Sequence, residues 1–453
     1  MRKLIPFVVA LAVVSCAKDS KTAETSIISG TVTGVTDGKI ILEGNSFQKE
    51  ITLNQDGTFT DTLALPYAGT YHIQGVKQAI YLEPNHSLNF VLDVQNPDVI
   101  TFTGDLGAEN EYMFVKQKNR NEVLGTKLQD LYSLPEEAFV EKTKELQRRN
   151  EHLLKAYKFK SMKFNDFEKN NLDYETAYLL ETYPLYHGYM IQDEAFVVSD
   201  SYPKTDKAFN YDNADDYNFS PAYRELVQFN FDKSVQAEVE KGAKMDDVLI
   251  KKLKDIKSEN IKNDLVEKAS YNVSLSSNDL DGIYKEFMSI STDENFKKDL
   301  TEKYNKLKVV AKGKPSPKFN YENHKGGKTS LDDLKGKYVY VDVWATWCGP
   351  CIGEIPALKV LEEKYHGKNI EFVSISIDEA KDHDKWKKFV TDKQMGGIQL
   401  YADNAWKSQF VQDYVIEGIP RFILIDPNGN IVSGDAPRPS DEGIIKLFDE
   451  LKI

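Results

Sequence analysis

The 453-residue chain predicts a multidomain protein: an N-terminal all-β sandwich, a central α-helical domain and a C-terminal α/β domain. Three observations carry this. Short alternating apolar runs, spaced by Gly, Pro, Asn and Asp turns, fill residues 26–107. The apolar spacing then becomes helical from about residue 108 to 310. Beyond a Pro/Gly/Lys stretch at 312–317, apolar strands alternate with helical patterns to the C-terminus. A chain of this length is expected to hold several cores. The net charge of −13, with Lys and Arg scattered, excludes a general nucleic-acid binder.

The elements follow in order. Met1, Arg2 and Lys3 form a positive start, and Leu4 to Val14 is an apolar run too short to span a membrane. Small Ser15 precedes Cys16, so residues 1–16 read as a secretory signal, and 17–25 as a polar tether. Strands are expected at 28–32, 39–42, 57–63, 69–73, 88–92 and 99–102. Residues 135–160 form a charged amphipathic helix. Further helices are expected near 172–183, 220–231, 245–258, 279–290 and 295–308, with breaks near Pro184 and across 199–221. Residues 312–317 read as a linker. The last domain, 311–453, has strands at 338–343, 370–377, 398–401, 422–425 and 430–432. Its helices follow Cys348 and lie near 384–393, 410–414 and 441–451, the last with Ser440 placed to cap it.

Two of the three cysteines, Cys348 and Cys351, stand three apart where an apolar strand meets a helical pattern. A thiol at a helix start faces unpaired N–H groups and the positive end of the helix dipole, which favours thiolate. Two such thiols can close a small disulfide and reopen it. Cys348 is expected to be the exposed attacking thiol, and Cys351, a turn further in, the buried resolving one. A structural zinc site needs two more ligands; His366 and His383 are isolated, so no metal is expected. Asp342 interrupts an apolar strand, where burial should raise its pKa. Glu354 shares a helix face with Cys351, and Pro356 falls inside that helix.

Several stretches resemble known families. Val13-Val14-Ser15-Cys16 resembles a bacterial lipobox, which implies a lipid anchor on Cys16. Trp344-Ala-Thr-Trp-Cys-Gly-Pro-Cys351 resembles the thioredoxin active-site motif. With Lys314-Pro-Ser-Pro-Lys-Phe319 it points to the extracytoplasmic TlpA/ResA group of thiol–disulfide oxidoreductases. Residues 26–107 resemble the DUF4369 module of Bacteroidota lipoproteins.

The resemblance implies a thioredoxin fold for 311–453, without a cofactor. It implies a redox disulfide between Cys348 and Cys351, with Asp342 or Glu354 moving the proton of the buried thiol. Gly418, Ile419 and Pro420 resemble the cis-proline loop that offers its backbone to a substrate peptide. Trp347 and Ile419 would border that dock, and Arg421 would bias it towards acidic partners. The implied partners are disulfide-bearing exported proteins, a membrane thiol reductant and the membrane itself, in a periplasm-facing envelope location where apocytochromes are one possible client. Gly349-Pro350 and Ile419 resemble reducing members. A peroxiredoxin is the first alternative, but the Pro-x-x-x-Thr context is absent before Cys348. The second is an envelope scaffold lipoprotein in which residues 26–310 do the main work.

Overall fold

The computed structural model describes residues 25–453, apart from 46, 77, 194, 206–208 and 278. The expected signal, tether residues 17–24 and Cys16 lie outside the described residues. The chain divides into two units, one ending at Ser234 and one running from Val235 to Ile453.

The first unit opens with eight strands: β1 (Thr25–Thr33), β2 (Lys39–Gly44), β3 (Phe47–Thr52), β4 (Thr58–Ala64), β5 (Gly69–Ile73), β6 (Ala79–Leu82), β7 (Ser87–Asp93) and β8 (Ile100–Thr103). They form two four-stranded sheets, ordered β4-β1-β7-β8 and β3-β2-β5-β6. Alternate residues of both sheets, among them Ile28, Leu42, Tyr71, Tyr81 and Phe90, share one buried cluster, as a sandwich requires.

Two of these strands are invisible to an alternation test. In β3, Gln48, Lys49 and Glu50 hide the pattern, and the strand lies at a sheet edge where charge discourages further pairing. In β6, three consecutive residues are buried, so no period of two exists to be read.

Helices complete the unit: α1 (Gly107–Leu124), α2 (Leu128–Tyr132), α3 (Glu136–Ala156), α4 (Met162–Ile191), α5 (Ala214–Phe219) and α6 (Pro221–Val239), the last crossing the division between the units. Tyr112 of α1 and Phe164 of α4 pack into the sandwich cluster. The expected break near Pro184 does not occur: α4 runs 30 residues straight through it. Proline has no N–H for the carbonyl of residue 180, one turn back. That carbonyl instead accepts a hydrogen bond from the buried Tyr202 hydroxyl at 2.9 Å. The expected break across 199–221 is also partly filled. Asn213 caps α5 by accepting the N–H groups of Asp215 and Asp216, and Pro221 opens α6, where its missing donor costs nothing.

The second unit begins with α7 (Met245–Asp255), α8 (Glu259–Ala269), α9 (Leu280–Ile290) and α10 (Glu294–Leu307). An α/β part follows: β9 (Asn320–Asn323), β10 (Lys328–Ser330), β11 (Tyr338–Trp344), α11 (Gly349–Lys364), β12 (Ile370–Ser376), α12 (His383–Asp392), β13 (Ile398–Tyr401), α13 (Gln409–Asp413), β14 (Arg421–Ile425), β15 (Ile431–Ser433) and α14 (Glu442–Glu450). The seven strands order as β10-β9-β13-β12-β11-β14-β15, with β11, β12 and β13 parallel and β14 antiparallel to β11.

Strand β11 is central and buried on both faces. Val339, Val341 and Val343 pack with Trp386 of α12 and Phe410 of α13. Tyr340 faces the other way, onto Leu358 and Leu361 of α11 and Phe448 of α14. The hairpin β9–β10 escapes the sequence because it is short and polar.

Residues 312–317 are not a free linker. Gly313 N–H donates to Ile431 O at 2.7 Å, Ile431 N–H to Lys314 O at 2.8 Å and Ser316 N–H to Gly429 O at 2.9 Å. The segment thus extends the sheet edge beside β15, and the buried Ser316 hydroxyl meets Tyr414 Oη at 2.7 Å. Ser440 does not cap the last helix either: Asp441 accepts the Gly443 N–H at 2.7 Å in its place.

The account of α4 can be tested. Tyr202→Phe strands the Leu180 carbonyl without a donor, and should lower the stability of the protein by about 1–3 kcal/mol in urea unfolding. An unchanged midpoint would show that the carbonyl is satisfied in another way.

Candidate active site

Strand β11 ends at Trp344, and the chain turns through Ala345, Thr346 and Trp347 into α11. Cys348 is the N-cap residue of that helix, with extended backbone, and its Sγ accepts the Cys351 N–H at 3.2 Å. Pro350 lies in the first turn, where a missing N–H is harmless. The two sulfurs are joined as a disulfide, with the Cα atoms 5.3 Å apart. The helix continues through Pro356.

One expectation is corrected here. Cys348 was expected to be exposed and Cys351 buried, yet with the disulfide closed each is 4% exposed. With the disulfide closed, burial does not distinguish the two. Their hydrogen bonding does, because only Cys348 sits at the cap and receives a backbone donor.

The turn before Cys348 is held by a residue that the motif does not reveal. Asp378, just beyond β12, is 1% exposed. Its carboxylate accepts the Thr346 N–H at 3.1 and 3.0 Å, the Thr346 hydroxyl at 2.7 Å and the Ser376 hydroxyl at 2.7 Å. Burying a carboxylate is costly, and this set of donors offsets the cost by fixing residue 346 in place. The available signal was an acid directly after the apolar strand at 370–377, paired with a small hydroxyl residue two before the cysteine.

Asp342 lies on the face of β11 that α11 covers and is 6% exposed. Burial pushes its pKa up to about 8; the Ser374 hydroxyl bonded to it works the other way, and the negative charges of Glu354 and Glu362 add to the rise. Register places Asp342 beside Ser374, and Ser374 beside Gln399, so a polar row crosses three strands beneath the helix. Gln399 Nε2 donates to Gly396 O at 2.8 Å, while its Oε1 is buried with no partner among the described residues. Glu362, on the same helix, abuts Gly396 and Gly397, and burial raises its pKa to about 7, against the pull of Lys359.

Glu354 is not a solvated helix residue. Ser440 donates to it twice, from its N–H at 3.1 Å and its hydroxyl at 2.9 Å, and Arg438 Nη1 stands 4.0 Å away. These contacts tie α11 to the approach of α14.

Trp347 is 51% exposed, and its ring centroid is 6.5 Å from that of Trp406, which sequence reasoning passed over. Gly418 is exposed, and Ile419 is half-buried against the core cluster that holds both cysteines. The Ile419–Pro420 peptide is cis. Arg421 does not offer a free charge, since its Nη1 meets Asp435 Oδ1 at 2.9 Å. His383 Nε2 is paired with Glu322 at 3.0 Å.

The raised Asp342 pKa carries a stability consequence. In the unfolded chain the group ionises near the usual ~4, whereas the folded protein keeps its proton until about pH 8. The unfolded state therefore binds fewer protons between these values, and stability falls as pH rises through that window. Asp342→Asn should remove this slope. The variant should gain on the parent steadily from pH 4 to pH 8, by on the order of 5 kcal/mol at most. Parallel urea-unfolding profiles for the two proteins would show Asp342 to be ionised at neutral pH.

The C-terminal part of the chain is similar to known proteins. Residues 312–433 match the AhpC/TSA family. The thiol-disulfide oxidoreductase ResA of Bacillus thuringiensis is 31% identical over 137 residues, 30% of this chain and 76% of that protein. The thioredoxin-like protein YneN of Bacillus subtilis is 31% identical over 134 residues, 29% of this chain and 76% of that protein. Among solved structures, a thiol-disulfide oxidoreductase from Bacteroides vulgatus is 52% identical, covering 31% of this chain and 90% of that one, with a TM-score of 0.28. The thioredoxin domain of another Bacteroides vulgatus thiol-disulfide oxidoreductase is 28% identical over 31% of this chain and 98% of that one, with a TM-score of 0.29. Through its C-terminal thioredoxin-fold domain, the chain belongs to the ResA-like thiol–disulfide oxidoreductases.

Proposed function

We infer that the protein is a membrane-anchored, extracytoplasmic disulfide reductase that acts on exported proteins through Cys348 and Cys351. The observation that carries this reading is the cap itself: a cysteine pair closed at the first turn of α11, with a backbone N–H on the Cys348 sulfur.

In the reduced protein, the Cys348 thiolate attacks one sulfur of a client disulfide. A Cys348–client mixed disulfide forms, and one client thiolate leaves. Cys351 then loses its proton and attacks the Cys348 sulfur. The second client thiolate leaves, and the Cys348–Cys351 disulfide is formed. Two electrons pass from the dithiol to the client, and two protons end on its thiols. Asp342 suits the proton step, because a carboxyl with a pKa of about 8 can accept a proton and return it near neutral pH. Another dithiol must then reduce the pair again, which calls for a membrane reductant facing the same compartment.

The anchor rests on the signal-like start and Cys16. No helix of the described residues is long and apolar enough to cross a membrane. Several acyl chains on one cysteine would hold the protein stably.

Two experiments test the reading. Cys351→Ser should accumulate mixed disulfides with exported proteins, while Cys348→Ser should form none and lose insulin reduction to the uncatalysed background. Adducts that persist without Cys348 would refute it. Separately, Cys16→Ser should move the protein from the membrane fraction to the soluble fraction. Continued membrane association would rule out the lipid anchor.

A further inference from the structure

Residues 155–163 carry four lysines, Lys155, Lys158, Lys160 and Lys163, and no acid, in a chain whose net charge is −13. The stretch joins the end of α3 to the first turn of α4, and all four lysines are exposed. Met162, between Lys160 and Lys163, is 83% exposed. Lys155, Lys158 and Lys160 make no ion pair among the described residues. Asp105, the acid that feels Lys160, is already engaged by the Ser87 N–H and hydroxyl at 3.1 and 2.8 Å. Lys163 stands 3.9 Å from Glu83. The backbone beneath these charges is pinned. The Tyr157 and Phe159 rings meet Tyr112 edge-on, with centroids 5.6 and 5.4 Å away. Ser161 N–H donates to Glu109 Oε1 at 2.8 Å, and the Ser161 hydroxyl accepts the Phe164 N–H at 3.0 Å as the cap of α4. A helix start favours acids, yet α4 has none in its first turn and carries Lys163 there. The lysines thus add to the positive end of the helix instead of offsetting it, a local conflict of the kind found at functional surfaces.

A separate observation points to the partner. The Ser26 hydroxyl, at the start of β1, donates to Glu83 O at 2.9 Å. The Tyr81 hydroxyl donates to Glu83 Oε2 at 2.9 Å and meets Ser161 Oγ at 3.4 Å. Glu83 therefore stands between the start of β1 and the lysine stretch, against Ser26 on one side and Lys163 on the other. Eight residues separate Cys16 from Thr25, and they reach about 30 Å at full extension. Resting on the reading of Cys16 as a lipid anchor, we propose that the 155–163 corner is a membrane-facing surface that binds anionic phospholipid headgroups. The lysines supply the charge, and Met162 enters the headgroup layer between them. The acyl chains hold the protein at the bilayer. The lysine corner turns one side of the first unit towards it, by an attraction that salt weakens.

The test is co-sedimentation of the Cys16→Ser chain, which lacks acyl chains, with vesicles of phosphatidylcholine alone or with about 30% phosphatidylglycerol. At low salt the protein should pellet with the anionic vesicles and not with the neutral ones, and about 0.5 M salt should release it. Lys158→Gln, Lys160→Gln and Lys163→Gln together should lower the partition coefficient about tenfold or more. Arginine at the same three positions should keep it. Glutamine at Lys325, Lys328 and Lys385, exposed lysines of the second unit, should leave it within about twofold. Thermal melts and insulin reduction equal to the parent establish that each variant folds. Binding that ignores lipid charge, or that falls equally in the second-unit variant, would overturn the proposal. So would capture by polyglutamate with none by vesicles, which would indicate an acidic protein partner. Fractionation of the Cys16→Ser protein after a salt wash decides the anchor, whereas the vesicle assay decides the surface alone, so the two failures are distinguishable.

Discussion

A sulfur that must carry negative charge needs donors, and the first turn of a helix has N–H groups with no acceptor of their own. The contact from Cys351 N–H to Cys348 Sγ places those two facts together. The rest of the α/β part serves to hold that cap. Central strand β11, buried on both faces, delivers the chain to it. Asp378 clamps Thr346, so the turn enters the helix in one conformation. Ser440, bonded to Glu354, fixes the helix one turn beyond Cys351. The cysteines therefore sit on rigid elements and not on a mobile loop, as a site that must present one particular sulfur requires.

The same arrangement explains an apparent contradiction in the core. Asp342 costs stability at neutral pH, because the fold keeps it out of water beneath α11. A merely structural site would hold an apolar residue there, alternating with Tyr340 along the strand. Asp378 makes the contrast plain. It is buried more deeply, yet four donor contacts surround it, so its burial is structurally compensated. Asp342 has one compensating hydroxyl and two nearby acids. One carboxylate is thus held by a full set of donors, and the other is buried with little to compensate it.

The cap itself was legible in the sequence, because a Cys-x-x-Cys between an apolar strand and a helical pattern has few physical meanings. The interrupting acid at 342 was legible for the same reason. The failures share a cause: each depends on a partner distant in sequence. Nothing near Pro184 announces that Tyr202 will satisfy the carbonyl it frees. The sequence marks Glu354 as a proton-carrier candidate beside Cys351, but nothing near it announces the bond to Ser440, 86 residues away. Residues 312–317 read as a linker because their hydrogen bonds go to residues 429 and 431. The strand Phe47–Thr52 carries charge because it is an edge, and edge status is a property of the sheet. Local patterns reveal elements and nucleophiles, whereas clamps and caps made across the fold become visible only with coordinates.

The central claim is that the helix cap, and not burial or position alone, makes Cys348 the reacting thiol. The most direct measurement is the relative rate at which iodoacetamide alkylates the two cysteines of the freshly reduced protein at pH 7, followed by peptide mass mapping. The account expects Cys348 to be modified well ahead of Cys351. Equal rates, or modification of Cys351 first, would contradict it.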